Sequence, residues 1–361
     1  MKKVIVMFCA AALLCLVGCK KEDPTPAATS TTSSSSGGGG GTPAPESNQE
    51  GVYNPNCKIV KIETNGETTE EWDWDDNNRL QSVLDGNGSV RTTFTYDDNR
   101  VNSVTRYGSQ LSGTIGVTYS GNYISRISLV NGGADVVGAT VSHSNNKISG
   151  ATLNMSDTYL MDMFNALLAQ YVTDSVGNSL APEVDNVQGS MNIDWNGENV
   201  RQIRMDVSFR VKILWGALKG VISNLSAFGV DSSMIAYANA LPDNTPIIFN
   251  VTARDTANYT SYDSKVNPFR HYLGNLENLL QLDASMFSAN NAIAGTVSGT
   301  ANIAISAEIT VFGYTQEVPF TTLDRPLPSS VISNSFTYNS DNYPTSVTDS
   351  EGNITTYTYQ Q

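Results

Sequence analysis

The side chains best suited to nucleophilic or metal chemistry are few in this sequence: His143, His271 and Cys57 in the body of the chain, with Cys9, Cys15 and Cys19 near its start. A protein zinc site needs three or four His, Cys or carboxylate ligands at short spacings. Neither histidine has a second histidine or a cysteine at such a spacing. No Gly-x-Ser-x-Gly elbow and no Walker loop occurs, so the sequence offers neither that serine nucleophile nor that phosphate cradle. Asp73-Trp74-Asp75-Asp76-Asn77-Asn78 begins like a calcium loop, but the twelfth position counted from Asp73 is Leu84, where a bidentate glutamate is required. That run reads as an acidic hairpin turn. Cys57 sits in Cys57-Lys58-Ile59-Val60, the start of a strand, where an unpaired cysteine behaves as a small buried hydrophobe. No catalytic residue, metal ligand or cofactor is therefore expected. The one enzymatic route left open is a pair of carboxylates brought together by folding, as a glycosidase requires.

The elements that position these residues begin with an N-terminal leader. Met1-Lys2-Lys3 is a positive n-region, and Val4 to Leu16 is an apolar stretch of secretion-signal length, too short for a permanent membrane span. Leu16-Val17-Gly18-Cys19 resembles the lipobox of bacterial lipoproteins, which implies cleavage after residue 18 and acylation of Cys19 by palmitate-type chains. Each buried methylene contributes about 0.8 kcal/mol, so more than one chain anchors stably, and the membrane is an expected partner through that lipid. Cys9 and Cys15 leave with the leader, which keeps Cys57 as the only thiol of the mature body and excludes an intrachain disulfide. Lys20-Lys21-Glu22-Asp23 resembles the export signal of Bacteroidetes outer-membrane lipoproteins. This implies display on the cell surface, with a periplasm-facing position as the alternative.

Residues 19–50 form a linker rich in Pro, Thr, Ser and Gly, with too little apolar content to fold. As a flexible coil of about 25 residues, the stretch from Pro24 to Asn48 has a root-mean-square span of about 25–30 Å. The formal net charge of −14 argues against nucleic acid as a partner, since phosphate contact depends on Lys and Arg.

Residues 51–361 read as one β-rich domain, and their organising feature is a repeat. Trp74-Asp75-Asp76-Asn77-Asn78-Arg79-Leu80-Gln81-Ser82-Val83 is echoed by Tyr96-Asp97-Asp98-Asn99-Arg100-Val101-Asn102-Ser103-Val104 and by Tyr119-Ser120-Gly121-Asn122-Tyr123-Ile124-Ser125-Arg126-Ile127. Weaker or later copies start at His143, Trp195 and Tyr338. Each unit is an aromatic ending one strand, a polar turn, and an apolar residue opening the next strand. A second apolar residue follows three positions later. Side chains alternate along a strand, so either the sheet is partly covered on both faces or each hairpin carries a bulge.

These units resemble YD repeats of the Rhs type, and the whole pattern resembles a Bacteroidetes lipoprotein family of unknown function with a porin-like fold. Tyr262-Asp263-Ser264-Lys265-Val266-Asn267-Pro268-Phe269 and the segment from Phe336 to Val347 carry the likeness furthest. The resemblance implies a β-meander and no catalytic residues.

Strict alternation of Ile203, Met205, Val207, Phe209, Val211 and Ile213 with Arg204, Asp206, Ser208, Arg210 and Lys212 marks an antiparallel strand with one buried and one wet face. Helical stripes interrupt the strands near 157–172, 213–240 and 271–289. The expected fold is thus mainly β, a large antiparallel meander shaped as a curved sheet or half-barrel, with a few amphipathic helices covering one side. Should those helices roof an apolar cavity, Met161, Met163 and Trp215 are its lining. Asp174-Ser175-Val176 and Asp255-Thr256-Ala257 resemble the triplet that Bacteroidetes modify with O-glycans, which makes Ser175 and Thr256 candidate acceptors. The functional expectation is a non-enzymatic, lipid-anchored envelope protein that binds a protein or glycan. Its alternatives are a carrier of an apolar ligand or a glycan-directed hydrolase.

Overall fold

In the computed structural model, which describes residues 49–53, 56–108, 113–131, 134–155, 183–219, 236, 240–275 and 282–360, the alternating segments become seventeen strands of one antiparallel sheet. The short strands are β1 (Ile59–Thr64), β2 (Glu67–Trp74), β3 (Leu80–Asp85), β4 (Val90–Asp97), β5 (Arg100–Arg106), β6 (Gly113–Ser120) and β7 (Tyr123–Asn131). The chain lengthens through β8 (Ala134–Ser144), β9 (Lys147–Met155), β10 (Glu183–Asn196), β11 (Asn199–Leu214) and β12 (Pro246–Tyr262) to β13 (Ala292–Val311) and β14 (Tyr314–Ser333). Three short strands finish it: β15 (Ser335–Tyr338), β16 (Pro344–Thr348) and β17 (Ile354–Tyr359).

Consecutive strands pair from β1 to β14, and β17 returns to lie against β1, followed outward by β16 and β15. β14 and β15, each with one strand partner, are therefore the edges of the sheet. They are consecutive in the chain and joined at Asn334, whose backbone N–H donates to Ile293 O at 2.8 Å and whose side chain donates to Ala292 O at 2.9 Å. The sheet is not closed into a barrel by a ladder.

Each repeat hairpin carries a bulge, which decides between the two sequence expectations. Asp73 faces Ser82 while Trp74 faces Leu80, so Gln81 is extra. The same shift leaves an extra residue opposite Thr95/Tyr96, Thr118/Tyr119, Ser142/His143, Asp194/Trp195 and Thr337/Tyr338. An inserted residue restores the phase of alternation. Leu80 and Val83 are consequently both buried on one face, as are Val101 with Val104 and Val200 with Ile203.

The lead aromatics do a second job. Trp74 Nε1 donates to Ile59 O at 2.7 Å, Tyr96 Oη to Leu80 O at 2.6 Å, Tyr119 Oη to Val101 O at 2.6 Å and Trp195 Nε1 to Ile148 O at 2.8 Å. Each aromatic thus clasps the backbone of the hairpin before it. A basic residue completes the clasp: Arg79 lies over Tyr96 and donates to Asp98 O, and Arg100 lies 3.7 Å over Tyr119 and donates to Gly121 O. Lys147 does the same with Trp195 and Gly197 O. Asn78 and Asp98 take positive φ in these turns, a conformation that Asn and Asp tolerate better than most side chains.

The buried face of the short strands is packed by the connection between β12 and β13. Trp72 stacks on Tyr272 with centroids 4.7 Å apart, and Phe94, Phe269 and Tyr53 complete an aromatic cluster around that pair. Leu273, Leu282, Ala284, Met286 and Phe287 join it, together with Ile203, Met205 and Val207 from the long strands. Tyr259 Oη ties the connection down by donating to Leu282 O and accepting from Ala284 N.

Helices are scarce. Of the one expected near 213–240, the described part is α1 (Trp215–Lys219). The helix expected over 271–289 is, in its described residues, a 3-10 turn at Leu273–Asn275 followed by turns from Leu282 onward. His271 and Leu282 both take positive φ, which no α-helix accommodates, and the backbone instead bonds to Tyr259 and to the Asp283 carboxylate. The helix expected near 157–172 falls outside the described residues.

Candidate functional site

The long strands expose what the short ones bury. On β11 the apolar side chains Ile203, Met205 and Val207 enter the core, so Arg204, Asp206 and Ser208 lie on the other face. Strand register carries that polar set sideways. Thr152 pairs with Ser190, Ser190 with Asp206, Asp206 with Arg254 and Arg254 with Thr300, a row that crosses β9 to β13. A second row runs from Gln188 through Ser208 and Thr252 to Asn302. Together with Asn154 these residues line an open groove of about 690 Å³. Ligand sites commonly measure about 300–1,000 Å³.

Its electrostatics centre on Asp206. The carboxylate accepts from Arg204 Nε at 3.0 Å and from Arg254 Nε at 2.5 Å, so it is held between two guanidinium groups. Asn302 Nδ2 donates to Asp324 Oδ1 at 2.7 Å, one strand beyond the groove. The rest of the lining mixes hydroxyl and amide side chains with Leu153, Val187, Gly189, Val207 and Ala253, and contains no aromatic side chain. Such a surface offers many hydrogen bonds and one charged focus, but no general acid beside a nucleophile.

The residues singled out for chemistry are placed elsewhere. Cys57 is fully buried, and burial pushes its thiol up to about 12, well away from nucleophilic reactivity at neutral pH. His143 occupies an aromatic position, its ring 5.0 Å from Tyr123 and its Nε2 3.0 Å from the Glu50 carboxylate. His271 is part-buried in the connection, and desolvation lowers it to about 4. Asp75 caps its own turn, accepting from Asn77 N and Arg79 N. Among the described residues no three His, Cys, Asp or Glu side chains cluster as a metal site. Trp215 is buried at the start of α1, with its backbone N–H bonded to Thr245 O. Thr256 lies in mid-strand between Arg204 and Ser298, while Asp255 beside it is buried, with its carboxyl raised by desolvation. Cys19, Met161, Met163 and Ser175 lie outside the described residues. Among the described residues, none of these positions is brought together with another.

The groove residues were visible in the sequence only as the wet half of an alternating strand. Nothing in one strand reveals that five of them align in register. Tyr262 and Tyr359 were also missed as clasping aromatics: their hydroxyls donate to Val200 O and Pro344 O, each at 2.7 Å. The Tyr262-Asp263 dipeptide, which echoes Tyr96-Asp97, was the available signal.

No family model and no curated protein matches the chain. Among solved structures it is similar to a porin-like protein from Bacteroides uniformis. The identity is 10%, the match covers 74% of this chain and 96% of that one, and the TM-score is 0.29.

Proposed function

We propose that this chain is a lipid-anchored envelope protein that binds rather than converts its target, presenting the β9 to β13 groove as its binding surface. The observation that carries the reading is the groove itself: two registered rows of polar side chains, open to solvent, on a sheet whose other face is packed. The lipobox-like Leu16-Val17-Gly18-Cys19 and the polar linker supply the tether, and Lys20-Lys21-Glu22-Asp23 favours display on the cell surface. The repeat hairpins support kinship with the Bacteroidetes lipoproteins of porin-like fold and with YD-type repeats. A protein or glycan of the cell envelope or its surroundings is the proposed partner.

The carrier alternative is less well supported, because the described part of 271–289 places Tyr272, Leu273, Leu282 and Phe287 in the packed core. The test of the binding reading is a Thr300→Trp variant, which puts a large side chain into the groove from β13. Immobilised wild-type chain retains an envelope or glycan ligand and the variant does not; equal retention by both overturns the groove as the surface. The tether is tested separately. Labelled palmitate is incorporated by the wild type and lost in Cys19→Ser, and incorporation that persists in the variant removes the lipid assignment.

A further inference from the structure

The chemistry of the groove specifies more than the existence of a ligand. We infer that it takes an acidic saccharide, with sugar hydroxyls along the two rows and a carboxylate or sulfate at Arg254. This rests on the groove being the binding surface, as proposed above.

Four observations converge on that class. First, neighbouring strands lie about 4.8 Å apart and alternate residues about 7 Å apart, so the rows form a grid of hydrogen-bonding groups roughly 20 Å long. Thr152, Ser190, Ser208, Thr252 and Thr300 supply hydroxyls to it. Gln188, Asn154 and Asn302 supply amides. A ligand rich in hydroxyls, each both donor and acceptor, matches a grid of that kind.

Second, the groove contains a positive focus. Arg204 and Arg254 both pair with the single carboxylate of Asp206 through Nε, which leaves the terminal amines of each guanidinium available to a second acceptor. Arginine's planar fork suits bidentate recognition of carboxylate and sulfate-like oxyanions. Arg254 is 59% exposed, within reach of a ligand in the groove.

Third, the groove lacks what other ligand classes need. No aromatic ring lines it, which disfavours a ligand held by stacking alone, and its aliphatic residues Leu153, Val187, Val207 and Ala253 lie among the polar rows. Peptides that bind by strand addition need a free edge. β9 to β13 are each paired on both sides, so none is offered here. Fourth, the positive focus is local on a chain of net charge −14, so an acidic ligand is held by direct contact at Arg254 rather than by long-range attraction.

The test is calorimetric titration of the full-length chain with three hexasaccharides of equal length: an oligogalacturonate, a sulfated heparin fragment and neutral cellohexaose. The acidic ligands bind about tenfold or more tightly than the neutral one, and whichever of the two binds better identifies the anion. Arg254→Gln weakens the acidic ligand by about tenfold, as expected for a lost charge-assisted hydrogen bond, and Arg254→Lys recovers part of it. Arg91→Gln, a change at an exposed arginine outside the groove, leaves binding unchanged. Unaltered thermal melting of the Arg254 variants separates ligand loss from misfolding. If all three saccharides bind equally and Arg254→Gln is silent while Thr300→Trp abolishes binding, the acidic class is wrong and the groove reading stands. If none of the three binds, the saccharide class is overturned.

Discussion

The repeat hairpins of β1 to β7 and the long strands β10 to β14 belong to one sheet, yet they are specified in different ways. In the short strands the Trp74, Tyr96 and Tyr119 units each carry an inserted residue and an aromatic clasp on the neighbouring hairpin, and the first adds an Asx-type turn at Asp75, so local chemistry dictates how successive hairpins stack. Between the long strands β11 and β12 register is set by simple alternation, with thirteen consecutive pairs and no shift. A one-residue slip there would exchange the buried and wet faces along the entire strand. The short strands spend their aromatics on assembly; the long strands leave a regular polar face that is free to bind. The aromatic assembly and the proposed binding face are thereby separated along one continuous sheet.

The largest expected effect falls on the aromatic cluster. Trp72 is buried and stacked on Tyr272, so Trp72→Ala destabilises the fold by about 3–5 kcal/mol, read by denaturant unfolding. A loss below about 1 kcal/mol would show that the β12–β13 connection does not hold the hairpins together. Next comes the response of that connection to acid. His271 has its folded pKa depressed by burial to about 4 from an ordinary 6.5, so its stabilising contribution is complete above pH 6.5 and is lost as pH falls toward 4. The total is on the order of 1–3 kcal/mol. His271→Asn, which tolerates the positive φ there, removes this dependence. The stability gap between wild type and variant should therefore shift in the wild type's disfavour between pH 7 and pH 4, and a gap independent of pH refutes the assignment.

A smaller effect separates the two regions directly. Tyr119→Phe keeps the ring under Arg100 but removes the hydroxyl that bonds Val101 O, and costs about 0.5–1.5 kcal/mol in melting experiments. Tyr314→Phe, at the exposed tip of the β13–β14 hairpin, changes stability by less than about 0.5 kcal/mol. Equal effects at the two tyrosines would mean that the clasp is incidental to the repeat.

This contrast also explains what could be read from the sequence. The mainly antiparallel β fold was legible because both signals for it are local: Trp74 through Val83 contains its turn, its bulge and its aromatic within ten residues, and β11 alternates without interruption. The sequence alone does not single out the bulge, since Gln81 looks like any polar strand residue and only the joint burial of Leu80 and Val83 marks it as inserted. Of the stripe near 271–289, Leu276, Leu279 and Leu280 lie outside the described residues, while Tyr272 is apolar for a tertiary reason, packing against Trp72 and Phe94. The groove was illegible for the same kind of reason. Asp206, Arg254 and Thr300 are far apart in sequence and become neighbours only when three strands align.

The smallest expected effect is the one that most sharply divides the regions. Arg254 is largely exposed and Ser208 sits on the wet face, so Arg254→Gln and Ser208→Ala each change folding stability by no more than about 0.5 kcal/mol. The ion pair with Asp206 is solvent-screened, and removing it leaves that carboxylate still paired with Arg204. Thermal unfolding of both variants alongside Trp72→Ala gives the measurement. A loss above about 1.5 kcal/mol at either groove position would assign these side chains to holding the sheet together. It would also remove the physical reason for regarding the long polar face as a surface kept for a ligand.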